Sequence, residues 1–354
     1  MHKETAAMSR KIAFFDSKPY DQKSFNTVNL NFGFDISYFD AKLTPQTVDL
    51  ASGFAGVCVF VNDDINAKVI EHLVKHGVEV IGLRCAGYNN VDFKAAFEKI
   101  HVTRVPAYSP YAVAEHAVAM MMTLNRKIHK AYMRTREGNF SINGLLGFDM
   151  FGKTAGIVGT GKIARCLIAI LKGFGMNILA YDPHPDESYA KTTGLRYVEL
   201  AELYGASDII SLHCPLTPET SYLINRTAIE QMRSGVMIIN TGRGKLIDTV
   251  ALIEGLKSGR IGSAGLDVYE EESDYFFEDK SSDMIADDVL ARLLTFPNVI
   301  VTSHQAFLTA EALRNIAETT LGNFKEYFAG GYLANEICYR CNRTCIKKDG
   351  RRCF

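Results

Sequence analysis

The sequence carries almost no net charge, no export-like opening, no bilayer-length apolar run, no compositional bias and no solenoid-period repeat, and each absence removes a class of protein. The formal net charge is -1, so no strong field points to nucleic acid or to an anionic membrane surface. Residues 1–10 are polar and mixed in charge, without the apolar core of an export signal. The longest apolar stretch, around Ala117–Leu124, is far too short to cross a bilayer. A cytoplasmic location is expected, with neither nucleic acid nor membrane as a partner. What is present is 354 residues with 47% apolar content, enough to bury two ordinary cores.

The cysteines fall into two sets. Cys58, Cys85, Cys166 and Cys214 are scattered through apolar or strand-like runs and read as reduced thiols in or near the core. Cys338, Cys341, Cys345 and Cys353 crowd the end of the chain. Their irregular spacing, with no paired domain around them, reads as a loose, basic, redox-sensitive tail rather than a zinc site, so no metal is assigned. Asn342-Arg-Thr344 matches a glycosylation triplet that a cytoplasmic protein would not use.

The first third alternates between strand-length apolar runs at Lys11–Asp16, Val57–Val61 and Val78–Leu83 and a helical stripe over Ala67–His76. Such alternation predicts a parallel sheet covered on both faces. Ser109–Ile128 reads as one long helix with Pro110 in its first turn and a nearly all-apolar middle, which suits a buried helix lying between two domains. From Gly152 a second alternating pattern begins. Strands are expected at Thr154–Val158, Asn177–Asp182, Asp208–Cys214, Val236–Thr241, Ser263–Val268 and Val299–Ser303. Helical runs lie at Lys162–Phe174, Leu200–Tyr204, Thr227–Met232 and Thr249–Ser258, and a last amphipathic helix at about Thr309–Phe328. This is the doubly wound pattern.

Gly156-Ile-Val-Gly159-Thr160-Gly161-Lys162-Ile163-Ala164 ends a strand and opens a helix. Gly159 permits the tight turn. Gly161 has no side chain to keep a pyrophosphate from the backbone, and the helix N-terminus beyond offers free N–H groups and a positive dipole end. Asp182 then closes the next strand, where a carboxylate accepts from ribose hydroxyls and repels a 2′-phosphate. Pro183, His184 and Pro185 follow it, with no adjoining Lys or Arg to welcome that phosphate, so NAD is expected rather than NADP.

Downstream stand Asn240-Thr-Gly-Arg243-Gly244, Gly265-Leu-Asp267-Val-Tyr-Glu270-Glu-Glu272 and Val301-Thr-Ser-His304-Gln-Ala-Phe307. Upstream stand Arg84-Cys-Ala-Gly87-Tyr-Asn-Asn-Val-Asp92 and Val105-Pro-Ala-Tyr108-Ser-Pro. With a dinucleotide fingerprint in mid-chain, these blocks resemble the D-isomer specific 2-hydroxyacid dehydrogenase family over about residues 11–337. The wording of Phe60-Val-Asn-Asp-Asp64, Ser211-Leu-His-Cys-Pro-Leu-Thr-Pro218 and His304-Gln-Ala-Phe-Leu-Thr-Ala-Glu311 is similar to bacterial fermentative members acting on D-lactate.

The resemblance implies an α/β architecture of two doubly wound parallel-sheet domains. One is a flavodoxin-like substrate domain built from residues 1–107 and 306–354. The other is an inserted Rossmann NAD-binding domain over residues 108–305, with the active site in a cleft between them that closes to expel water. It implies reversible NADH-dependent reduction of a small 2-oxoacid, pyruvate foremost, to the D-hydroxyacid, in a homodimer or homotetramer. Arg243, in a Gly-flanked turn after a strand, would grip the substrate carboxylate through two parallel hydrogen bonds. His304 would protonate the carbonyl oxygen during reduction and remove the hydroxyl proton during oxidation. Glu272, chosen over Glu270 and Glu271, would orient the ring and stabilise imidazolium.

By the same resemblance Ala86, Gly87 and Tyr108 contact substrate. Gly159, Thr160, Gly161, Lys162, Ile163, Asp182, Cys214, Pro215, Thr220, Thr241, Gly242, Arg243 and Asp267 contact the cofactor, Asp267 at the nicotinamide carboxamide. His213 borders that site, and His116 reads as a satisfied core histidine. Ser303 stands where relatives often have Pro or Gly, a tolerable change. Relatives acting on hydroxypyruvate, glyoxylate or larger 2-oxoacids share these motifs, and NAD-sensing co-repressors on this fold can keep the Arg–Glu–His set.

Overall fold

The computed structural model describes residues 10–272, 275–337 and 339. The chain divides into two compact units, one running to Ser109 and resuming at Thr309, the other spanning Pro110–Leu308. The sequence placed these divisions at 107/108 and 305/306. The cysteine-rich tail and the triplet at Asn342 lie outside the described residues.

The first unit is built on β1 (Lys11–Phe14), β2 (Asp35–Tyr38), β3 (Gly56–Val59), β4 (Val80–Leu83) and β5 (His101–Thr103). They form one parallel sheet in the order β2-β1-β3-β4-β5, the flavodoxin-like order. β3 and β4 are buried throughout, as strands covered on both faces must be. Helices α1 (Pro19–Asn29), α2 (Ala67–Lys75) and α3 (Phe93–Ala96) follow in chain order. Phe324, from the last helix, fills the space that Gly56 and Gly82 leave on one sheet face; a Cβ at Gly82 would come within 2.6 Å of its ring.

The second unit opens with α4 (Pro110–Arg126) and α5 (Ile128–Arg136). The single helix expected over Ser109–Ile128 is therefore corrected. It ends at Arg126, because Lys127 adopts the left-handed conformation with φ 50°, and a separate helix starts beyond. The polar run after Lys127 gives α5 no buried residue, whereas α4 buries Ala114, Ala117, Met120, Met121 and Leu124. Asn125 closes the arm that follows, donating to Phe148 O and accepting from Phe148 N, each at 2.8 Å.

The remaining elements alternate: β6 (Thr154–Val158), α6 (Lys162–Gly173), β7 (Asn177–Tyr181), α7 (Glu187–Thr193), β8 (Arg196–Tyr197), α8 (Leu200–Ala206) and β9 (Ile209–Leu212). Then come α9 (Arg226–Gln231), β10 (Val236–Asn240), α10 (Thr249–Ser258), β11 (Ile261–Leu266), α11 (Asp288–Leu294) and β12 (Val299–Val301), and α12 (Ala310–Phe328) returns the chain to the first unit. The parallel order is β12-β11-β10-β9-β6-β7-β8. Strand order reverses at β6, whose Val158 is level with Tyr181 of β7 on one side and Leu212 of β9 on the other. A crevice forms beyond the carboxyl ends of strands at such a switch point. The two doubly wound sheets agree with the fold class read from the sequence.

Candidate active site

At the end of β6 the chain must turn sharply under a neighbouring loop. Gly159 has φ 88°, and a Cβ there would come within 2.8 Å of the His213 carbonyl and the Cys214 nitrogen. No other residue fits that turn. Gly161 is different, because a Cβ there would meet no protein atom within 4 Å. It is the N-cap of α6 and provides no side-chain cap, so the first-turn N–H groups of Lys162 and Ile163 face an open approach.

Asp182, just past β7, accepts from the Thr160 N–H at 2.8 Å, the Thr160 hydroxyl at 2.9 Å and the His184 N–H at 2.9 Å. Burial alone would raise its carboxyl, but these hydrogen bonds outweigh it and hold the group below the usual carboxylate range. An ionised carboxylate has about four acceptor positions, so capacity remains for ribose hydroxyls. Arg165, one turn into α6, is committed elsewhere: it donates to Thr160 O and pairs with Asp186 at 2.8 Å. Nearby, burial pushes the Cys214 thiol up to about 11 and the His213 imidazole down to about 4. The Thr220 hydroxyl donates to Pro215 O at 2.6 Å and accepts from Thr217 N at 2.8 Å, which shapes the loop after β9.

Beyond β10, the buried Asn240 side chain accepts from Gly242 N at 3.0 Å and donates to Arg243 O at 2.9 Å, fixing the turn that carries Arg243. Gly244 presses on the backbone after β11; a Cβ would fall 2.0 Å from the Tyr269 carbonyl. Thr241 is buried, and its hydroxyl has no hydrogen-bond partner among the described residues. A buried unsatisfied hydroxyl costs stability unless something completes it. The open cradle at Gly161, the acceptor capacity of Asp182 and this hydroxyl together fit a dinucleotide.

The glutamate run after β11 separates by geometry. Glu270 accepts from Thr249 N and from the Tyr222 hydroxyl, each at 2.9 Å. Glu271 pairs with Lys245 at 3.3 Å near the surface. Glu272 accepts from Tyr269 N at 3.0 Å and lies 2.7 Å from His304 Nδ1. His304 sits just past β12 in the left-handed region, with φ 54°. Asp267, wholly buried, holds that turn. It accepts from the Thr302 hydroxyl at 2.6 Å, Gln305 N at 2.8 Å and Ala306 N at 2.9 Å, and its own carbonyl accepts from His304 N at 2.7 Å. His116 Nε2 stands 3.2 Å from the Thr302 hydroxyl and 3.4 Å from Asp267 Oδ1. Burial would raise the Asp267 carboxyl, but His116, Thr302 and the two N–H groups hold it low.

These features lie on a chain whose relatives are well defined. Residues 118–306 match the model of the D-isomer specific 2-hydroxyacid dehydrogenase NAD-binding domain. The D-lactate dehydrogenase of Escherichia coli is 57% identical over 328 residues, covering 92% of this chain and 99% of that one. The chain belongs to the D-isomer specific 2-hydroxyacid dehydrogenases. Its fold superposes on the apo-structure of the Escherichia coli D-lactate dehydrogenase with a TM-score of 0.86, at 54% identity over 92% of this chain and 99% of that one. It superposes on the pyruvate reductase of Chlamydomonas reinhardtii with a TM-score of 0.88, at 43% identity over 92% and 98% of the two chains. The protein is an NAD-dependent dehydrogenase with a small-molecule substrate.

In the dehydrogenase, the other sequence-singled residues occupy the first unit. Arg104 donates to Ala86 O at 2.9 Å, the Cys85 thiol donates to Gly87 O at 3.2 Å, and Tyr108 O accepts from Asn315 at 2.6 Å. Sequence reading missed Asn240, whose clamp on Arg243 has no signal beyond a polar residue ending an apolar strand. It also missed the part of Asp267 that holds the His304 turn, since its partners lie far along the chain.

Proposed function

We propose that this enzyme reduces pyruvate to D-lactate, and that Arg243, His304 and Glu272 perform the chemistry. The observation that carries the reading is the 2.7 Å contact between His304 Nδ1 and Glu272, in a chain 57% identical to a D-lactate dehydrogenase. Glu272 accepts a hydrogen bond from Nδ1–H, which fixes the tautomer and stabilises imidazolium, leaving Nε2 as the nitrogen that exchanges a proton with substrate. Bound NADH supplies the hydride. His304 donates its proton to the carbonyl oxygen during reduction and takes it back during oxidation. Arg243, held by Asn240 and Gly244, binds the substrate carboxylate. Lys162, Ile163 and Gly161 hold the pyrophosphate, Asp182 the adenosine ribose and Thr241 the nicotinamide side. Asp267 keeps His304 in place. The first unit is the substrate domain.

We place the enzyme in the cytoplasm, where nicotinamide cofactor is drawn on; no described helix is long and apolar enough to cross a membrane. We also propose that it works as a homo-oligomer, with a second copy covering the arm after α4. That arm exposes Phe140 at 78%, Ile142 at 81% and Leu146 at 88%, a concentration of large apolar side chains that monomers rarely leave in water. A twofold pair would bury the same patch on each copy.

NADH oxidation with pyruvate and a panel of 2-oxoacids, followed by chiral analysis of the product, tests the reaction. Pyruvate should be preferred and D-lactate formed. Preference for hydroxypyruvate or a branched oxoacid would move the substrate within the family. Tight NADH binding without turnover would point to NAD sensing instead.

A further inference from the structure

We propose that Asp49, His72 and His76 form a binding site for a late first-row divalent cation, Zn2+ foremost, on the first unit. His72 lies in the last turn of α2 and His76 is its C-cap residue, four positions on, so the two side chains come to the same side of the helix end. Their rings lie parallel, with centroids 4.4 Å apart and planes 11° from each other. Asp49 comes from the 3-10 turn Val48–Ala51 and brings its Oδ1 to 2.6 Å from His72 Nε2. One ligand atom from each of the three lies within 4.8 Å of the others.

Two further observations, and the reach of the side chains, favour a cation over a simple ion pair. The His72–Asp49 approach lacks hydrogen-bond geometry, so His72 Nε2 is shielded from water without a hydrogen-bond partner among the described residues. His76 Nδ1 lies 3.1 Å from the Ser52 hydroxyl. If the ring donates there, the other nitrogen keeps its lone pair for a metal, and ligating histidines are commonly oriented this way. Metal–nitrogen bonds of about 2.0 Å in a tetrahedron place ligand atoms about 3.3 Å apart, and small rotations of these side chains, two of them exposed, close that distance. Two imidazoles and one carboxylate suit Zn2+, Co2+, Ni2+ or Cu2+ rather than Mg2+ or Ca2+. Water would complete the coordination. The bound ion would tie the turn that precedes β3 to the helix that follows it, and would therefore stabilise the folded first unit by mass action.

The test is calorimetric titration of EDTA-treated full-length enzyme with Zn2+, repeated on the His72→Ala/His76→Ala double variant. The wild type should show a site that the double variant weakens by about 100-fold or more, the upper end of what even a lost outer-shell partner costs. Zn2+ should raise the unfolding midpoint of the wild type and not of the double variant, with NADH-dependent turnover alike in both. Co2+ absorption separates this site from the tail cysteines, because thiolate ligation adds intense charge-transfer bands that nitrogen and oxygen ligands lack. Asp49→Asn gives the same decision should the double variant fail to fold. An identical Zn2+ isotherm and midpoint shift in the variants, or a Co2+ spectrum of thiolate ligation alone, would overturn the proposal.

Discussion

Among the described residues stand two histidine–glutamate pairs of nearly equal length and opposite use. In the first unit, His101 Nδ1 lies 2.6 Å from Glu336, both side chains buried. In the second, His304 Nδ1 lies 2.7 Å from Glu272, with side chains 24% and 21% exposed. The first pair stitches an edge. His101 is in β5, and the segment ending the described chain runs antiparallel beside it, with Ile337 N donating to Val102 O and Arg104 N to Asn335 O. The pair helps cover a sheet edge that would otherwise be free to pair with another chain. The second sits past a strand end, on a turn with φ 54° that Asp267 pins from beneath. A short contact between imidazole and carboxylate is therefore not in itself a sign of catalysis. Access to the second ring nitrogen, and a rigid turn to present it, separates the two.

Exchanging the losses gives the largest expected effects. His304→Ala should lower kcat by about 10^2- to 10^4-fold, the usual contribution of general acid–base transfer, while urea unfolding stays near wild type. His101→Ala should do the reverse. It leaves the buried Glu336 side chain without its hydrogen-bond partner, a loss of about 1–3 kcal/mol, while the folded fraction retains wild-type kcat. Steady-state kinetics and urea unfolding on both variants check this. A stable His101→Ala, or an active His304→Ala, would erase the distinction.

Asp267→Asn sharpens the comparison at the next level. The amide cannot accept from the Thr302 hydroxyl, Gln305 N and Ala306 N as the carboxylate does, because its NH2 meets an N–H or hydroxyl donor. The His304 turn should loosen. A displacement near 1 Å costs about 100-fold in rate, so kcat should fall between about 10- and 100-fold. If Asp267 served the cofactor alone, the loss would appear in the KM for NADH with kcat kept.

These contrasts also show which parts of the molecule a sequence displays. The glycine turn and Asp182 were legible because every constraint on them is local: a strand, a tight turn, a helix start and one strand more. Strands buried on both faces, such as β6 and β10, announced themselves as unbroken apolar runs. β2 and β5 did not, because polar residues interrupt both, and β2 is only half covered. The break at Lys127 was hidden because the apolar run before it continues the helical pattern, and only the polar face of α5 marks the change. The residues that set the His304 turn were not legible, since Asp267, Thr302 and Ala306 meet by folding; resemblance marked Asp267 for the cofactor alone. The close approach of Gly244 to Tyr269 left no local trace at all.

The smallest expected effect is the most specific to the proposed chemistry. Glu272→Gln keeps a side chain of the same size but removes the negative charge beside His304. Reduction needs imidazolium and oxidation needs neutral imidazole. Without the carboxylate, imidazolium is favoured less. The pH–rate profile for pyruvate reduction should then fall off at lower pH, and that for D-lactate oxidation should set in at lower pH. Glu336→Gln, the same change in the buried pair, should leave both profiles in place and alter only unfolding, because His101 exchanges no proton with substrate. Profiles of both variants in both directions decide the matter. A shift in Glu272→Gln alone ties the exposed pair to proton transfer, whereas equal profiles would reduce Glu272 to a structural neighbour like Glu336.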